Sequence, residues 1–167
     1  KSTFLLIEKE KTNQKENEDF LESAKCLINV IKTKSEETIF MKSLTELIDV
    51  NSTNELLEII FEYILISIPS SRKFYLEKSK TFELFYKMLN LLKNLQSENS
   101  SILKFKILDC FENIFNQYID EFIIVYGDCL SHDDRNFLNY FLEKHKILMF
   151  THLKNLMKLN KNEKKNL

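Results

Sequence analysis

The chain has 167 residues and a formal net charge of −1, with 44% hydrophobic and 29% charged residues, one glycine (Gly127) and one proline (Pro69). A near-neutral balance carries no excess of cations for sequence-independent binding to phosphate backbones, and a single glycine leaves little material for phosphate loops or tight hairpins. The same numbers fit a folded all-α chain long enough to bury a sizeable core.

In chain order, residues 2–10 are predicted as a short helix or ordered arm around Phe4, Leu5, Leu6 and Ile7, and the polar stretch Lys9–Asp19 as a linker. Phe20, Leu21, Ala24, Leu27, Ile28 and Ile31 then recur at steps of three and four, the mark of an amphipathic helix. Ser35, Glu36 and Glu37 open a second helix with Phe40, Leu44, Leu47 and Ile48 as its buried stripe. Ser52 with Glu55 matches a capping box, and the helix behind it (Leu57, Ile60, Phe61, Ile64, Ile68) is apolar on most sides, which makes it central. Pro69 and Ser70 end it.

A short segment at Phe74–Leu76 leads to a helix near Thr81–Gln96, with Phe82, Phe85, Leu89 and Leu92 facing inward. After a turn at Ser97–Ser101 comes a helix carried by Leu103, Ile107, Leu108, Phe111, Ile114 and Phe115, continuing through Phe122–Tyr126 to a C′ cap at Gly127. Ser131 with Asp134 starts a last helix reaching about Leu159, with a stripe from Leu138 to Leu156. The expected fold is all-α, an antiparallel pile of six or seven helices compatible with a HEAT-like α-solenoid. It divides into an arm or linker at 1–18, a helical domain at 19–160 and a basic polar tail at 161–167.

Cys26, Cys110 and Cys129 are odd in number and widely spaced, so a reducing, cytoplasmic compartment is expected rather than a disulfide framework. No apolar run is long enough to span a bilayer, and neither membrane nor nucleic acid is an expected partner. The chain begins at Lys1 rather than Met, and it is expected to be a fragment of a longer protein.

Cys129, His132, Asp133 and Asp134 form the one metal-like cluster, but the second pair that a zinc site needs is missing, and the two acids sit where a helix's first turn favours them. His145 and His152 lie seven apart with no carboxylate to orient them, and Cys110 falls inside an apolar stripe. No nucleotide-loop, zinc-protease or serine-hydrolase motif occurs. No catalytic residue, metal ligand or cofactor is therefore assigned, and the chain is not expected to be an enzyme.

The order of these segments resembles the conserved C-terminal domain of the regulatory subunit of katanin, the microtubule-severing AAA ATPase. The likeness covers roughly Phe20–Lys158 and rests on "STNELLEII", "TFELFYKMLNLL", "SILKFKILDCFENIFNQYIDEF" and, most specifically, "LSHDDRNFL". The family's Trp at the end of its first long helix has no counterpart around Ile31–Thr33, and the connection there is shorter. The resemblance implies a non-catalytic module, cytoplasmic and cytoskeletal. It would form a heterodimer with the N-terminal domain of the ATPase subunit and help bring it to microtubules and to spindle-pole or minus-end proteins.

On that implication, Lys25, Asn29 and Lys32 of the first amphipathic helix are the partner-binding candidates. Tubulin is acidic, so Arg72, Lys73, Lys146, Lys154, Lys158 and Lys161 are the microtubule-facing candidates. The alternative is a HEAT- or armadillo-type structural or cargo adaptor with no connection to tubulin.

Overall fold

The computed structural model describes the backbone of residues 2–95 and 102–144, and the side chains of 14–95 and 102–143. Among these residues the chain is all-helical: α1 Ser2–Lys34, α2 Glu37–Leu47, α3 Asn54–Ser67, α4 Arg72–Leu76, α5 Lys78–Asn94, α6 Ile102–Gln117, α7 Ile119–Ile124 and α8 His132–Lys144. A 3₁₀ turn at Ile68–Ser70 holds Pro69, and a π-helical turn at Val125–Cys129 holds Gly127. Among the described residues eight α-helices stand where six or seven were expected for the chain, because α4 and α7 are separate short helices.

Local chemistry explains most boundaries. The Ser131 hydroxyl accepts the Asp134 N–H at 3.1 Å, so α8 starts as its sequence predicts. The cap of α3 is one residue later than expected: the Thr53 hydroxyl, not that of Ser52, accepts the Leu56 N–H at 3.3 Å. The stretch expected as arm and linker is helical from residue 2 and continuous with the first amphipathic helix. Its Lys, Glu and Gln residues are good helix formers, and polarity without Gly or Pro does not interrupt a helix.

Two further boundaries depart from expectation. The helix expected from Leu103 to Tyr126 breaks at Tyr118 (φ −132°, ψ 56°), whose hydroxyl donates to the Ile68 carbonyl at 2.6 Å. Gly127 is not a C′ cap. The chain passes through it without a positive φ, and the Leu130 N–H reaches back to the Val125 carbonyl at 3.2 Å, closing the wide turn.

The core is contiguous and rich in phenylalanine. Ile60, Phe61 and Ile64 of α3 are fully buried, and α3 packs most extensively against α6, which buries Leu103, Ile107, Phe111 and Ile114. Phe85 lies 5.4 Å from Phe111 and 5.0 Å from Phe122, and Phe115 meets Phe122 edge-on at 5.2 Å. Helix α2 packs on α3 and helix α5 on α6, while α2 also meets α5 and α3 meets α6. These four helices are thus two hairpin pairs laid side by side, joined through α4.

Helix α1 lies over α2 and α3, and the π turn lies against α5. Polar ties fix the joints. The Lys87 ammonium on α5 donates to the Thr45 carbonyl at the end of α2 (2.7 Å), and Lys106 pairs with Glu62 across α6 and α3. Lys93 pairs with Asp134 at 2.7 Å, and Tyr126 donates to Asn139 at 2.8 Å, anchoring α8.

Candidate functional site

Lys25, Asn29 and Lys32 occur at four- and three-residue steps and so share one side of α1, where all three are exposed. They are not equally free. Lys25 lies 3.8 Å from Glu22, and the Asn29 carbonyl oxygen accepts the Tyr63 hydroxyl of α3 at 2.8 Å. Asn29 is therefore part of the joint that seats α1 on the core. Beside it, Glu18, Asp19, Leu21, Glu22 and Lys25 of α1 meet Ile59 of α3 in a shallow depression with an acidic rim.

The other edge of α1 carries side chains that sequence reasoning placed in the core. Ile28 is buried, and Leu21 and Ile31 pack partly against the core. Phe20 and Leu27, expected in the same stripe, are 53% and 62% exposed, and Val30 is 47% exposed. The apolar stripe of α1 is wider than the strip the core covers. Spacing alone does not show this, since Phe20, Leu21, Ala24, Leu27, Ile28 and Ile31 span about 120° at 100° per residue, an ordinary core-facing width.

Arg72 and Lys73 are exposed on α4. Arg72 borders a polar cleft with Pro69, Gln117, Tyr118, Ile119, Asp120 and Glu121. Burial raises the Tyr118 phenol above its ordinary range, Arg72 opposes the rise, and Glu37 and Glu121 add to it. Lys146, Lys154, Lys158 and Lys161, like His145 and His152, lie outside the described residues.

No family model matches this chain, no curated protein matches it, and no solved structure matches it.

The remaining candidates separate in space. Cys129 is half-buried in a cleft with Glu77, Lys78, Ser79 and Phe82, at whose rim Lys78 lies 3.6 Å from Asp128. His132 is exposed, its Nε2 3.1 Å from the Asn136 amide nitrogen. Among the described residues no three His, Cys, Asp or Glu side chains gather as a metal ion requires. The Cys110 thiol is buried and donates to the Phe61 carbonyl at 3.6 Å; burial and the neighbouring Asp109 push its pKa far up, which makes it a poor nucleophile.

Proposed function

We propose that this chain is a non-catalytic protein–protein interaction module of HEAT-like build. It pairs with the N-terminal domain of a microtubule-severing AAA ATPase and helps recruit that enzyme to microtubules. The observation that carries the interaction reading is the outward surface of α1, where three large apolar side chains stay half exposed beside polar groups, although the helix already has a core to cover. Monomeric surfaces tolerate single exposed apolar residues, but an aligned set marks an interaction face. The HEAT-like build is supported by the two side-by-side hairpin pairs, α2–α3 and α5–α6, in which equivalent helices touch. The choice of an ATPase partner rests on the sequence resemblance.

Arg72 favours a second reading, an adaptor unconnected to tubulin. Asp120 and Glu121 line the same cleft as Arg72, so the described part of the proposed microtubule surface is mixed rather than basic. Capture of the tagged chain from its native cell, followed by quantitative mass spectrometry, tests both. An AAA ATPase recovered at one-to-one stoichiometry, and lost on Lys25→Glu, supports the pairing. Recovery of other partners with no ATPase supports the adaptor and overturns the first reading.

A further inference from the structure

The exposed edge of α1 has a regular spacing. Glu16, Phe20, Ser23, Leu27, Val30 and Lys34 follow one another at alternating steps of four and three, the spacing of a coiled-coil seam, and all six are exposed. Charge is divided along the same helix. Between residues 14 and 22, four acids (Glu16, Glu18, Asp19, Glu22) outnumber one lysine (Lys15); between 25 and 34 there are three lysines (Lys25, Lys32, Lys34) and no acid. On the seam itself the acid Glu16 stands at one end and the base Lys34 at the other, while Glu18, Glu22, Lys25 and Lys32 lie on the opposite edge of α1.

We propose that α1 pairs with α1 of a second copy of this chain, antiparallel, about a two-fold axis beside residue 25. That axis sets Glu16 opposite Lys34 of the second copy, Phe20 opposite Val30, and the small Ser23 opposite Leu27. On the seam itself each Glu16 meets a Lys34, and a large side chain near the axis meets a small one. A closed two-fold contact needs this self-complementarity, in which residue i meets j and j meets i. A parallel pairing would align like charges. A foreign helix of uniform charge would attract one end of the seam and repel the other, so the charge order favours the helix's own copy.

The seam from Glu16 to Lys34 is about 27 Å long at 1.5 Å per residue, enough for a reversible dimer that forms as protein concentration rises. Phe20, Leu27 and Val30 are also the side chains whose exposure carries the interaction reading above, so self-pairing and that heterodimer compete for one face, while Lys25, Asn29 and Lys32 lie on the other edge of α1.

Analytical ultracentrifugation of the full chain at low salt, over rising concentration, is the test. A monomer–dimer equilibrium is expected for the wild type, abolished by Leu27→Glu with the circular dichroism spectrum unchanged, since that side chain is exposed. Glu16→Lys or Lys34→Glu alone sets like charge against like charge twice across the axis and should weaken the dimer about tenfold. The double variant Glu16→Lys/Lys34→Glu should restore it. Cys26 is exposed close to the axis, so in a Cys129→Ser background a thiol cross-linker should trap the dimer, and Cys26→Ser should prevent the trapping. A chain that stays monomeric overturns the proposal, as does a dimer indifferent to Leu27→Glu, a double swap that fails to restore pairing, or capture of an unrelated helical protein through Leu27 by a chain that does not self-associate.

Discussion

Tyr75 and Tyr118 stack with ring centroids 4.8 Å apart beneath the Pro69 turn, and the Cys110 thiol lies close enough to raise the Tyr75 phenol further. Burial is the main cause of the rise for Tyr75, Tyr118, Tyr126 and Cys110 alike. Each group keeps its proton in the folded chain beyond the ordinary value, which is 10.0 for tyrosine and 9.0 for cysteine. Once pH exceeds those values the unfolded chain has released protons that the folded chain still holds, so stability falls as pH rises. Below them the contribution is complete. Denaturant midpoints followed from neutral to alkaline pH should show these groups contributing a loss that begins near pH 9 and steepens past 10. The phenolate absorbance of these three tyrosines, out of six in the chain, should then appear together with loss of helix rather than before it. Phenolate formation at all six tyrosines with full helix retained would show that the cluster is open to solvent.

At the scale of elements, caps and breaks test how far local sequence determines local structure. Ser131 was legible because one hydroxyl stands three residues before an acid at the head of a clear stripe. At α3 two adjacent hydroxyls, Ser52 and Thr53, satisfy the same rule, and only the backbone trajectory selects Thr53. Thr53→Ala should therefore cost about 1 kcal/mol in urea denaturation, and Ser52→Ala well under half of that. Equal losses would mean that the two hydroxyls share the cap.

The break at Tyr118 had no local signal. It is stabilised by a hydrogen bond to Ile68, fifty positions away in sequence, and no window on α6 contains that partner. The continuity of α1 was misread for the opposite reason: composition suggested a linker where nothing in the sequence stops a helix. Of the candidate surface, Lys25, Asn29 and Lys32 are all exposed. The Tyr63 bond that occupies Asn29, and the acids beside Arg72, are tertiary facts that one-dimensional spacing does not carry.

Across the whole molecule, burial is graded from one side to the other. Helices α3, α5 and α6 contribute most of the fully buried side chains, and α3 and α6 share the largest packing face. Residues 14–20 of α1 are exposed at every position, and α1 meets the body mainly through α2 and α3. Local opening costs least where few apolar contacts are broken, so amide exchange should follow this gradient. In dilute solution, hydrogen exchange read by mass spectrometry should show residues 14–20 exchanging faster than the rest of α1 that follows them. The second half of α1, held by Ile28 and the Asn29–Tyr63 bond, should be intermediate, and α3 and α6 slowest, close to the rate set by global unfolding. Tyr63→Phe should raise exchange in the second half of α1 while leaving α6 unchanged, because the hydroxyl it removes ties only that helix to the core. If α6 and α1 respond together, the two unfold as one cooperative unit, and α1 is an integral part of the core rather than a helix laid upon it.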